Sequence, residues 1–149
     1  MDSYVVLRAF LLSDAPVAAL VGTRIYPVKL PQNVTYPAMT LLRVSSAPPT
    51  PLKGKTSLNH ERIQIDCWVR ETSGATPFTA ALALGAAVRE RLEGYVGPMS
   101  DTRTSPATVY TTAVQFADER EFFEADVNGG YYRHSADYLL WSNVHGVAA

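Results

Sequence analysis

The segment NHERIQIDCWVR, residues 59–70, sorts its side chains by parity. Ile63, Ile65, Cys67 and Val69 fall on one side; Arg62, Gln64, Asp66 and Trp68 fall on the other. A period of two with β-branched residues on one side predicts a half-buried strand. Before it, AMTLLRVSS (38–46) predicts a second strand whose two faces are not cleanly sorted, so both are expected to be covered. The intervening APPTPLKGKTS, residues 47–57, holds Pro48, Pro49 and Pro51, which lack a backbone donor. It predicts a projecting loop, across which the two strands are expected to pair antiparallel.

Outward from this hairpin the pattern turns helical. Residues 3–12 (SYVVLRAFLL) place Val6, Leu7, Phe10 and Leu11 at helical spacing, with Ser3 as the expected cap. Asp14 reads as the cap of a second short helix with Pro16 in its first turn and Gly22 as its stop. Together they are expected to make one broken N-terminal helical arm. A turn into Ile25 and Tyr26 leads to an irregular stretch fixed by Pro27, Pro31 and Pro37. Residues 77–93 predict the best helix, with Thr76 as cap, Pro77 at the first position and Gly94 as stop. Its stripe is Phe78, Leu82, Gly85 or Ala86, Val88 and Leu92, and its many small residues let it lie close to a sheet.

Residues 107–118 predict a strand, 119–130 an acidic connection ending in the turn Asn128-Gly129-Gly130, and 131–141 the last strand. The tail 143–149 is expected to fray. The order of elements predicts an α+β fold: a mainly antiparallel four-stranded sheet with two helices packed on one face.

A length of 149 residues predicts one domain spanning 1–149. An apolar fraction of 47% suits a globular core. A net charge of −1 provides no global field for nucleic acid or an anionic membrane. A single cysteine makes no internal disulfide and suits a reducing compartment. The N-terminus, with Asp2 and Arg8, is not read as a signal peptide, and no run reaches membrane-spanning length.

Candidate chemistry is sparse. Cys67 with His60, His134 or His145 would offer a thiol and a base, but Cys67 shares the side of Ile63 and Ile65 and reads as a small core residue. These residues match no zinc spacing, so no metal or cofactor is expected. Asp66 and Asp137 would pair as carboxylates only if their strands are neighbours. Gly94-x-x-Gly97 and Asn128-Gly129-Gly130 read as turns, since neither follows a strand and opens a helix. Trp68, Trp141 and Tyr131 sit away from the aliphatic side, and Phe122 and Phe123 lie in the acidic connection; either a helix covers that face or the aromatics fill satellite clusters, or they form a protein–protein surface. The loop with Lys53 and Lys55 is basic, and 117–126 is acidic. These are either two solvated loops or the two halves of a head-to-tail contact.

The run Asp14 to Pro37, DAPVAALVGTRIYPVKLPQNVTYP, resembles the tail-completion, or tail-terminator, proteins of long-tailed bacteriophages. The resemblance rests on Asp14, Val17, Leu20, Val21, Gly22, Arg24, Ile25, Tyr26 and Pro27, then Leu30, Pro31, Gln32, Tyr36 and Pro37. Arg62–Trp68 and Asp137–Trp141 are also similar to the family, in its order. The resemblance implies a non-enzymatic virion protein of the tail and neck, made in the bacterial host cytoplasm. It implies a ring homo-oligomer, usually six-fold, that caps the tail tube protein and stops its polymerisation. That ring also meets the head connector or stopper protein and passes DNA through its lumen. Lys53, Lys55, Phe122, Phe123 and Glu124 are the expected interface residues, from the charge and aromatic reading rather than from a family motif. The alternatives are another head–tail connector or minor tail protein, or a small hydrolase using Cys67 or Asp66.

Overall fold

A computed structural model describes residues 1–54, 57–71, 76–127 and 129–144. The elements run α1 (Ser3–Leu12), α2 (Ala15–Val21), β1 (Ile25–Pro27), β2 (Ala38–Ser46), β3 (Leu58–Arg70), α3 (Pro77–Leu92), β4 (Val96–Asp101), β5 (Thr108–Glu124) and β6 (Tyr131–Val144). The sheet has six strands in the order β1-β2-β3-β6-β5-β4. All neighbours are antiparallel except β1 and β2, which are parallel.

This corrects the expected four-stranded antiparallel sheet with two helices: the sheet is mixed and six-stranded, and there are three helices among the described residues. The two strands that were not anticipated have weak local signals. β1 is three residues long and ends in Pro27. β4 contains Gly97 and Pro98, which is tolerated because β4 is an edge strand whose outer N–H groups need no ladder partner. The extra helix arises because α1 and α2 meet at 99°, too sharp for one bent rod. At the break the Asp14 N–H still donates to Leu11 O, while its carboxylate accepts from the Val17 N–H at 3.3 Å and starts the next helix. Gly22, at φ +60°, ends α2 as expected.

The cap of α1 is Asp2, which accepts from the Val5 N–H at 3.3 Å. Ser3, the expected cap, lies inside the helix, where its hydroxyl donates to the buried Glu61. In α3 the Thr76 side chain makes no capping bond. Its buried stripe is Ala81, Leu84, Gly85, Val88 and Leu92, so the helix is turned relative to the expected stripe, and Phe78 is exposed. The reason is close approach: Gly85 sits against the imidazole of His134 on β6, and the helix rotates to place its smallest residue there.

α1 touches β4 at one end of the sheet and β1 and β2 at the other. Six flat strands would set those edges ~24 Å apart at ~4.8 Å per step, twice the ~10–12 Å width of a helix. The sheet therefore curls into a half-barrel, with the helices on its inner side. The core between them joins Val6, Leu7 and Leu11, Leu84 and Val88, and Ile63, Ile65, Cys67, Tyr138 and Leu140. The antiparallel pairing of β2 with β3 follows the expectation, with Leu41 opposite Ile65. Only the first half of β2 is buried; from Arg43 onward it is exposed.

β5 extends to Glu124, so the acidic segment expected as a connection is strand. A register shift between Phe116 and Asp118 leaves Ala117 as an extra residue. Before this bulge the even-numbered residues Val114 and Phe116 face the core; after it Glu119, Glu121 and Phe123 take that side, and Asp118, Arg120, Phe122 and Glu124 face outward. β6 continues to Val144, and 145–149, with His145, lie outside the described residues.

Candidate functional site

On the inner face the candidate thiol and imidazole are both buried in the core. Cys67 lies opposite His134 in the β3–β6 register, yet its thiol is buried among the core side chains. Burial pushes the thiol up, far from the range where a thiolate forms at neutral pH, and the Asp66 carboxylate adds to the shift. His134 is itself buried, with Nε2 3.2 Å from Glu119 Oε2 and its ring under Gly85. No group of His, Cys, Asp and Glu among the described residues is arranged to hold a metal.

The outer face carries a network of ions. β3 and β6 are neighbours, but Asp66 and Asp137 are each matched to cations rather than to one another. Asp137 accepts from Arg62 Nε at 2.8 Å and from Arg120 Nη2 at 3.4 Å. Asp66 accepts from Gln64 Nε2 at 2.9 Å and faces Arg133 Nη1 at 3.5 Å. Arg120 also reaches Asp118 at 3.6 Å, which offsets the repulsion of Asp118 and Asp137 placed directly opposite each other. Carboxylates held this way are structural counter-ions.

The expected interface residues fall at opposite ends of the sheet. Lys53 is exposed at the tip beyond β2, beside the fully exposed Leu52; Lys55 lies outside the described residues. Phe122, Phe123 and Glu124 end β5, where the register aligns Glu124 with Tyr131 and Tyr131 with Arg70. The structure therefore does not bring Lys53 to the acidic end within one chain. Phe122 lies under the Arg133 guanidinium, 4.4 Å from it, and Arg133 also covers Trp68 at 5.1 Å. Phe123 points to the other side and packs on Tyr132 at 5.0 Å, with Phe78 5.6 Å from the same ring. Both phenylalanines remain partly exposed. Trp141 is stacked on His60 at 3.8 Å, at the far end.

Sequence reasoning missed a groove of about 530 Å³ at the Arg70 end of the outer face. Its floor is Trp68, Arg70 and Tyr131; its wall is the irregular segment Leu30–Tyr36, with Glu124 at the rim. Arg70 lies 4.6 Å from the Tyr131 ring and 5.9 Å from that of Tyr36, and Nη2 donates to Asp126 at 3.2 Å. Burial and the hydrogen-bonded Tyr131 push the Tyr36 hydroxyl up to about 12. The chain turns toward this wall at Val28, exposed and held at φ +66°, where the Lys29 N–H donates back to Pro27 O at 2.7 Å. Such a tight turn is strained for a β-branched residue. The Tyr36–Pro37 bond is cis and closes the wall. One sequence signal was present: Trp68 and Arg70 share a parity with each other. Their partner Tyr131 becomes visible only once the β3–β6 register is known.

The fold thus joins a packed core, ion-paired carboxylates on its outer face and two unlike ends. The chain belongs to the tail completion protein gp17 family, whose pattern matches residues 5–140. It is a structural protein of the phage tail, located in the tail region of the virion. A comparison with curated proteins finds no match. Among solved structures, a chain from the virion of a native gene transfer agent particle shares this fold, with a TM-score of 0.61 and 22% identity. The match covers 95% of this chain and 96% of that one.

Proposed function

We propose that this chain, acting as one domain over 1–149, caps the phage tail tube as a ring, halts its polymerisation and joins the tail to the head connector. The role is mechanical, without catalysis: one ring face fits the last tube ring, the other fits the stopper, and DNA passes through the lumen. Six copies are the expected ring. The observation that carries this reading is family membership over nearly the whole chain. The placement of unlike surfaces at opposite ends of one sheet agrees with it, because a head-to-tail contact repeated by rotation closes a ring. Lys53 and Lys55 on one copy would meet Glu124, Phe122 and Phe123 on the next, a basic tip against an acidic, aromatic end.

A stop codon in the gene, with the lysate imaged by negative-stain electron microscopy, tests the reading. Filled heads beside unattached tails of abnormal and variable length are the expected result. Unattached tails of correct length would instead assign a connector role, and intact infectious particles would refute both.

A further inference from the structure

We infer that the groove at Trp68, Arg70 and Tyr131 binds the proline-rich arm, residues 47–52, of a neighbouring copy of this chain. The inference rests on the ring reading above and names the contact that would link its subunits. The arm is built to be bound. Ala47–Leu52 are all exposed, and Leu52, a large apolar side chain, is fully so. Pro48, Pro49 and Pro51 fix their own φ, and each restricts the residue before it to extended backbone. Little conformational freedom is left to lose on docking; the Pro51 carbonyl already accepts from the Gly54 N–H at 3.1 Å, which fixes the turn that presents Leu52 and Lys53.

The groove is built to receive such a segment. Extended proline-rich chains dock on aromatic-lined grooves with donors along the rim. Here Tyr36, Trp68 and Tyr131 provide the rings, with Tyr36 and Trp68 set 5.6 Å and 6.3 Å from Tyr131, and the Gln32 and Asn33 amides provide donors. Its 530 Å³ falls within the ~300–1,000 Å³ of ligand pockets. Charge fixes direction: with Leu52 seated among the rings, Lys53 follows at the rim, where Glu124 is. A chain cannot dock its own arm. The arm spans ~19 Å at ~3.1 Å per residue, whereas β3 separates arm from groove by ~40 Å at ~3.3 Å per residue. The contact is therefore between copies, and each copy has one arm and one groove.

The test titrates a synthetic peptide of residues 46–54 into the full-length protein and follows its indole N–H signals by NMR. The chain has two tryptophans, one in the groove and one at the far end. The Trp68 signal should shift saturably while Trp141 stays fixed. The response should vanish with a peptide carrying Leu52→Asp, and with Tyr131→Ala protein. Should that variant misfold, the exposed Glu124→Lys serves: it should weaken binding about two- to five-fold, as an exposed ion pair allows, and a Lys53→Glu peptide should restore it. No Trp68 shift at millimolar peptide would overturn the inference. So would a proline decamer that binds as well as the arm and ignores the charge swap. Tail capping does not enter this assay, so its failure is distinct from failure of the stop-codon experiment.

Discussion

Gly85→Ala adds one methyl where α3 crosses β6. A Cβ at position 85 would lie 2.3 Å from His134 Nδ1, 2.5 Å from Cε1 and 2.7 Å from Cγ. Carbon atoms prefer about 3.5–4.0 Å, so three ring atoms overlap at once. The ring is a poor candidate to yield: the residue is 4% exposed and its far nitrogen is held by Glu119. Two effects oppose each other. Alanine favours a helix over glycine by about 0.8–1.0 kcal/mol. Overpacking a core contact costs about 1–3 kcal/mol, and overlap with a rigid ring belongs in the upper half of that range. The expected net loss is about 1–2 kcal/mol, or a fall in Tm of roughly 2–8 °C for a chain of this size. Urea unfolding should show a lower midpoint at unchanged slope. Removing the ring should reverse the sign: in a His134→Ala background, Gly85→Ala should stabilise by up to about 1 kcal/mol. A Gly85→Ala chain more stable than wild type, with His134 present, would refute the close approach of α3 to the sheet.

Other outcomes follow from the same structure. Cys67 should resist thiol reagents at neutral pH in the native protein and label only as the chain unfolds; rapid stoichiometric labelling would contradict its burial. Asp101 is held down to about 2, from its ordinary 3.8, by hydrogen bonds from the Arg103 side chain and backbone N–H. A depressed carboxylate contributes stability that is full above its ordinary pKa and is lost as pH falls toward the folded value. Asp101→Asn should therefore remove part of the acid slope between pH 3.8 and about 2, seen as a shallower fall of the urea midpoint; identical slopes would exclude the ion pair. Val28→Gly should stabilise by about 0.5–1 kcal/mol. Relief of a left-handed β-branched residue (~1–2 kcal/mol) exceeds the added unfolded-state entropy of glycine (~0.5–1 kcal/mol). A destabilised variant in thermal melts would show that the turn is not strained.

Much of the framework was legible in the sequence because it is written locally. The parity of 59–70 places Ile63, Ile65 and Cys67 in the core, and Asp14, Pro16 and Gly22 punctuate α2 as expected. What was not legible depends on distant partners. β1 is strand because the Ile25–Pro27 segment meets Met39–Leu41, and β4 because Val96–Asp101 meets β5. Glu119, Glu121 and Glu124 disfavour strand, and their segment becomes strand by pairing with β6. The groove was hidden for the same reason, since Arg70 and Tyr131 are 61 positions apart in sequence and adjacent only through register. The interface residues were chosen by charge and aromaticity, and those properties carry no information about which end of a sheet they occupy.

Ala117 gives the far half of β5 its own phase. The bulge absorbs that residue, so deleting it would keep Asp118 opposite Asp137 and leave every side chain from 118 to 124 on its present face. Keeping Ala117 but drawing it into regular pairing opposite Asp137 would do the reverse. Phe122 and Glu124 would then point inward, and Phe123 outward, with no substitution made. Register, rather than residue identity, decides which surface the acidic end shows to a neighbour.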